Sequence, residues 1–253
     1  MEIEFLGTGT STGVPQIKCS CPVCQSADPR DKRLRQSAIV RYRGRNILID
    51  CGPDFRQQML RASDDNIDAL LITHIHYDHV GGMDDIRPYC QFGEINVYAD
   101  PIARQGMLEM LPYCFAENRY PGVPAIGLHE IHAGESFRIG DIDILPVEVM
   151  HGRLPILGYR FGSFAYITDM KTIEPDQLAL LNGVETLVVN ALRFDRPHHS
   201  HQLVDDAVAF ARRVGARRTF LTHMCHDIGL HDVANRRLPE GVALAFDGQQ
   251  LVL

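Results

Sequence analysis

The chain has 253 residues, 45% of them apolar and 23% charged, with 32 acidic against 25 basic side chains and a formal net charge of −7. That composition is ordinary for a soluble globular protein, and no stretch approaches the ~20 consecutive apolar residues that span a bilayer. The acidic total argues against a general polyanion-binding surface, although a local basic cleft remains compatible with it.

A domain of this length buries roughly 70–75% of its unfolded surface, so a sizeable core is available. The opening Met1-Glu2-Ile3-Glu4-Phe5-Leu6-Gly7 places acids where a secretory signal needs a basic start. A cytoplasmic protein with no membrane partner is therefore expected.

Taken in chain order, predicted strands fall at residues 2–6, 37–42, 45–50, 68–73, 95–99, 141–149, 157–161, 164–168, 185–190, 217–222 and 242–246. Helical patterns fall at 53–62, 101–111, 174–182 and 202–214. The last is the clearest: Leu203, Ala207, Phe210 and Val214 repeat every three or four residues, opposite Asp205, Asp206, Arg212 and Arg213, as expected of a helix laid on a sheet. Strands alternating with helices predict an α/β layered fold. With neither a low-complexity linker nor a short repeat, a single domain over residues 1–253 is expected. Residues 81–127, with Pro88, Pro112, Pro121 and Pro124 among aromatics, read as less regular.

Between the first two strands stands Cys19-Ser20-Cys21-Pro22-Val23-Cys24. The seven cysteines are odd in number and unevenly spread, which does not fit a disulfide framework. Cys19, Cys21 and Cys24 put three thiolates within reach of one tetrahedral ion, the pattern of structural zinc. Cys51, Cys90 and Cys114 read as small buried hydrophobes.

The strongest signal follows the strand ending at Thr73. His74-Ile75-His76-Tyr77-Asp78-His79 packs three imidazoles and a carboxylate into six residues, and a tight turn at a strand end lets such groups converge on one or two metal ions. Further on, His151, Asp169 and His223 each follow a predicted strand.

On these residues the chain resembles the metallo-β-lactamase superfamily. The resemblance implies an αββα sandwich of two pseudo-equivalent halves and two catalytic divalent metals, zinc or manganese. It assigns His74, His76 and His151 to the first metal, Asp78, His79 and His223 to the second, and Asp169 as the bridge. Asp50, in the Asp50-Cys51-Gly52 motif, then supports the histidine loop. In enzymes of the family this chain resembles, a segment such as 81–127 tends to form a pocket wall, and ordinary packing explains each of its aromatics equally well.

The opening Phe5-Leu6-Gly7-Thr8-Gly9-Thr10-Ser11-Thr12-Gly13-Val14-Pro15, the cysteine run, Thr222-His223-Met224-Cys225-His226 and Phe246-Asp247-Gly248 are similar to the cyclic-phosphate phosphodiesterases of the carbon–phosphorus lyase pathway. This resemblance favours His226 over Cys225 as fourth ligand of the structural zinc. It implies a small phosphodiester substrate such as 5-phosphoribosyl 1,2-cyclic phosphate, and catalytic roles for Asp78 and for His201 as proton donor to the leaving alkoxide.

Arg87 and Arg196 are either phosphate clamps or surface charge. Nucleic acid is disfavoured as a partner, and a homodimer is compatible with the sequence. An RNA 3′-end-processing nuclease, a lactone or thioester hydrolase of the same superfamily and a metal-bound ligand sensor stay open as alternatives.

Overall fold

The computed structural model describes residues 1–62 and 64–253. They divide into two compact units, one made of Met1–Gly7, Gln36–His132 and Gly248–Leu253 and the other of Thr8–Arg35 and Ala133–Asp247.

The first unit holds strands β1 (Glu2–Gly7), β2 (Ser37–Tyr42), β3 (Arg45–Ile49), β4 (Ala69–Leu71), β5 (Ile95–Ala99), β6 (Ile126–Glu130) and, from the chain's end, β14 (Gln250–Val252). Among the described residues they make one sheet in the order β14-β1-β2-β3-β4-β5-β6. Strands β1, β2 and β3 run antiparallel. From β3 to β6 the neighbours are parallel, with Ile49 opposite Leu71 and Leu71 opposite Tyr98. The inward apolar side chains Leu6, Ile39, Leu48, Leu70 and Val97 pack with Phe55 and Met59 of the helix Phe55–Ala62 and with Ala103 and Met107 of the helix Pro101–Met110. Fully burying each such large side chain contributes about 1.5–3 kcal/mol.

The second unit holds β7 (Phe137–Ile139), β8 (Ile142–His151), β9 (Leu154–Phe161), β10 (Phe164–Ile167), β11 (Thr186–Asn190), β12 (Arg218–Thr222) and β13 (Val242–Leu244). They form a sheet in the order β13-β12-β11-β10-β9-β8-β7 among the described residues. Its β10 to β13 half is parallel and its β7 to β10 half antiparallel. Val147, Ile156, Ile167, Val189 and Leu221 form its core with Ala207, Phe210, Ala211 and Val214 of the helix Val204–Val214. In each unit the parallel strands end side by side, so residues placed just after them gather at one sheet edge.

The predicted strands and longer helices all occur, with shifts at their ends. The helix expected from 202 begins at Val204 because Gln202 is used otherwise: its N–H bonds to Met170 O at 3.2 Å and its carbonyl accepts from Leu192 N at 3.0 Å. Strands β6, β7 and β14 were not expected. Residues 81–127 are more regular than predicted, since besides the expected β5 and helix Pro101–Met110 they hold a 3₁₀ helix (Met83–Phe92), a short turn of helix (Pro112–Phe115) and the start of β6. Among the described residues no helix is long and apolar enough to cross a membrane.

Candidate metal centre

In the first unit, the histidine loop leaves β4 and is held from beneath by Asp50, which follows β3. Asp50 is fully buried and accepts from Thr73 N at 2.8 Å and from Thr73 Oγ1 at 2.9 Å. Its Oδ2 lies 2.7 Å from His79 Nδ1. Burial raises the Asp50 pKa, and the adjacent His79 opposes that rise. A carboxylate on Nδ1 fixes the imidazole tautomer and makes Nε2 the electron-pair donor. His79 Nε2 sits 3.3 Å from Asp78 Oδ2, and His74 Nε2 sits 3.0 Å from His76 Nδ1. The loop's backbone is clamped as well, through Cys51 N to His79 O at 2.7 Å and Gly82 N to Cys51 O at 2.9 Å. His74, Asp78 and His79 are buried, while His76 is exposed.

In the second unit, His151 ends β8, Asp169 follows β10 and His223 follows β12. His151 Nδ1 donates to the carbonyls of Asp169 (2.7 Å) and Ser200 (3.1 Å), and since carbonyls only accept, its Nε2 carries the lone pair. Asp169 Oδ2 lies 3.1 Å from His223 Nδ1, and Asp169 Oδ1 lies 3.6 Å from His201 Nδ1. The ring of His201 stands 4.8 Å from that of His223 and 4.7 Å from that of His151. Thr10 Oγ1 is 3.1 Å from His223 Nε2, leaving Nδ1 toward the carboxylate. Burial, reinforced by neighbouring His223, pushes the His201 pKa down to about 2. The Asp169 carboxylate opposes that fall.

Three residues in these sets adopt the left-handed backbone region: Asp50 (φ 60°), Asp169 (φ 56°) and His223 (φ 56°). Each follows a parallel strand and none is glycine. Such strain, of order 1–3 kcal/mol per residue, is characteristic of functional positions.

The family model for the β-lactamase superfamily domain matches residues 45–224, which takes in the histidine loop, His151, Asp169 and His223. The chain belongs to this superfamily. A crystal structure described as a new diphosphatase from the PhnP family is 39% identical, with a TM-score of 0.92 over 99% of this chain and 96% of that one, so the fold is that of the metallo-β-lactamases. A protein named octanoyltransferase from Porphyromonas gingivalis (strain ATCC BAA-308 / W83) is 42% identical over all of this chain, which spans 52% of that relative's length. A ribonuclease Z from Thermosynechococcus vestitus (strain NIES-2133 / IAM M-273 / BP-1) is 28% identical over 63% of this chain and 36% of its own length.

The donor sets fit the metals that the superfamily implies. Imidazole nitrogens with carboxylate oxygens suit both zinc and manganese. His201 Nδ1, buried and without a hydrogen-bond partner among the described residues, joins His151 and Asp169 in a further group able to hold an ion. His201 therefore competes as a ligand with its expected role as proton donor.

The cysteine cluster fits separately. His226 Nδ1 lies 3.1 Å from Cys19 Sγ, 3.4 Å from Cys21 Sγ and 3.5 Å from Cys24 Sγ. A tetrahedral zinc with the usual bond lengths requires sulfur–nitrogen separations of about 3.5 Å. His226, not Cys225, is the fourth side chain of this group; Cys225 is buried and its N–H bonds to Leu192 O at 3.0 Å. The Cys24 N–H holds the Cys21 thiol down at about 6, whereas burial pushes Cys24 up to about 11. A bound cation removes that conflict by favouring the thiolate at every position.

Neither arginine considered as a phosphate clamp stands alone. Arg87 is paired with Asp84 at 2.5 Å, and Tyr113 donates to the same carboxylate at 2.7 Å. Arg196 is paired with Asp227. Sequence reasoning missed Thr73, Thr10 and Asn190; the last anchors the turn after Asp169 by accepting from Met170 N at 2.8 Å and donating to Met170 O at 3.0 Å. Thr73 and Thr10 were visible only as members of the motifs that flank the ligands.

Proposed function

We propose that the protein is a metal-dependent phosphoesterase that hydrolyses a small phosphodiester or diphosphate, 5-phosphoribosyl 1,2-cyclic phosphate being one substrate of that class. The observation that carries this reading is the whole-length likeness to the diphosphatase, at 39% identity, joined to an intact set of donor residues in both units. In this reading the entire chain acts as one catalytic domain. His74, His76 and His151 would hold one cation and Asp78, His79 and His223 another, with Asp169 available to both.

When bound, the two cations supply Lewis-acid stabilisation of charge on the phosphoryl oxygens and lower the pKa of an attacking water. The chain's own contribution is orientation and protons. Asp50 fixes the His79 tautomer, the carbonyls of Asp169 and Ser200 fix that of His151, and Thr10 orients His223. His201, whose Nδ1 stands 3.6 Å from the Asp169 carboxylate, gives a proton to the departing alkoxide.

Two other activities compete. The name of the Porphyromonas relative points to acyl chemistry, which belongs to a protein twice this length. The partial likeness to ribonuclease Z points to RNA, against which the net charge of −7 counts through phosphate repulsion.

The deciding measurement is kcat/KM of the metal-loaded protein on bis-p-nitrophenyl phosphate, ribose 1,2-cyclic phosphate and a nucleoside diphosphate compound, against p-nitrophenyl acetate, a lactone and an acyl thioester. A preference for the phosphorus substrates of at least about 10²-fold is expected, the scale of discrimination a site achieves through matched polar contacts. A preference for the carbonyl set would overturn the proposal.

A further inference from the structure

The segment Leu192–Gln202, which carries His201, is closed at its base by Leu192 N donating to Gln202 O at 3.0 Å. It is a compact surface loop of the omega kind. Its inner arm is anchored by Lys171 Nζ donating to His201 O at 3.1 Å and by His151 Nδ1 donating to Ser200 O at 3.1 Å. The outer arm has a different anchor. Arg193 Nε donates to the carbonyls of Asp195 and Arg196, each at 3.0 Å, and Arg196 takes the left-handed backbone region at φ 64°. The Arg196 guanidinium pairs with Asp227, and Arg193 Nη1 lies 3.6 Å from the same carboxylate oxygen.

Asp227 directly follows His226, whose Nδ1 faces the three thiols of the cysteine cluster. The other ring nitrogen, Nε2, lies 3.8 Å from Asp227 Oδ1. One carboxylate thus faces the cluster's imidazole with one oxygen and grips the proton-donor loop with the other. At that separation no hydrogen bond joins carboxylate and ring, so the tie to the cluster is the peptide link between His226 and Asp227, while paired charges on two arginines of one loop restrict where the loop can sit.

We propose that Asp227 is a positioning residue: it ties the outer arm of the His201 loop to the cysteine–histidine cluster and so sets where His201 stands. For its catalytic consequence this rests on the phosphoesterase reading. A partly exposed ion pair contributes little to global stability, yet a displacement of a proton donor by about 1 Å can cost on the order of 10²-fold in rate. The effect therefore belongs in turnover and loop exchange, not in unfolding.

The test is Asp227→Asn, nearly the same size without the charge. Metal content and melting temperature should stay close to wild type. Backbone amides of residues 193–201 should exchange with deuterium at least about tenfold faster, as expected when a local opening becomes easier, while those of β10 to β12 do not change. Turnover of ribose 1,2-cyclic phosphate should fall at least about tenfold in kcat with KM little altered, and that of bis-p-nitrophenyl phosphate by less than about threefold, because only the alkoxide needs its proton.

Arg196→Gln should reproduce this pattern from the other side of the pair, and the double variant should be no worse than either single one, as coupled partners require. Unchanged exchange in the loop, or additive losses in the double variant, would overturn the proposal. If wild-type protein hydrolyses neither phosphorus substrate, the functional reading fails on its own, and the exchange experiment alone then decides the role of Asp227.

Discussion

At the scale of single residues, the site depends on where strands stop and how the next residue turns. Asp50, Asp169 and His223 each leave a parallel strand in the left-handed region, which points the side chain away from the alternation of the strand. Gly82 shows the same tightness in another way. A Cβ built there would stand 2.1 Å from Gly52 O and 2.8 Å from Phe55 Cβ, so Gly82→Ala should displace the histidine loop and cost about 1–3 kcal/mol, the usual penalty of overpacking. Denaturant unfolding together with metal content checks this, and an unchanged midpoint would refute the close approach. Asp78→Ala should keep the fold and abolish turnover on every substrate. His201→Ala should keep both catalytic metals and lose about 10²–10⁴-fold on ribose 1,2-cyclic phosphate, the usual worth of a positioned acid, with far less loss on a nitrophenyl diester. Loss of a metal equivalent in that variant would instead make His201 a ligand.

At the scale of elements, the cysteine loop shows what a short sequence can hold without a hydrophobic core. Helix Pro22–Gln25 is one turn long, and its N-cap is Cys21, whose Sγ accepts from Cys24 N at 3.4 Å. So short a helix is marginal by itself, and among the described residues its buried apolar cluster is small: Val14, Val23 and Cys24, with Cys19 and Cys21 packed against it. Lys32 Nζ donating to Cys24 O at 2.9 Å and the bridge between Val14 and Arg33 add anchors, and a bound metal would add folding free energy directly. Cys21→Ser should therefore remove one zinc equivalent and lower the melting temperature by roughly 5–10 °C, as a few kcal/mol does in a chain of this size. Retention of both would end the structural-zinc assignment.

The donor residues were legible here because ligand chemistry needs specific residue types at short spacing. The hydrogen-bond partners that hold them were not, because Thr10, Thr73, Asn190 and Asp227 are brought in by pairing of distant strands and loops. The short strands β7 and β14, of three residues each, carry too few alternations to register as a period, while the regular 3₁₀ run Met83–Phe92 was hidden by Pro88.

At the scale of the whole molecule, the same asymmetry governs what the chain says of itself. The apolar runs at β3, β4, β10, β11 and β12 are buried apart from the first residues of β3 and β12 and a half-buried Phe220 in the middle of β12, so continuous hydrophobicity announced central strands and, with intervening helices, the α/β class. What it did not announce is the number of ions the molecule carries, and that number joins all the assignments in one measurement. If His74, His76, Asp78, His79, His151, Asp169 and His223 serve two cations while Cys19, Cys21, Cys24 and His226 hold a third, protein purified without chelator should contain about three metal ions per chain, one of them zinc in a fully protein-ligated site. The classes should separate on chelation. Catalytic sites keep a position open to solvent and release metal to a chelator first, whereas the thiolate site, closed by four protein ligands, releases it last and together with unfolding. Elemental analysis during stepwise dialysis should thus show activity vanishing at about one remaining equivalent while the melting transition persists. A single class of metal leaving in step with both activity and structure, or a total of one in fully loaded protein, would break the division into two kinds of site.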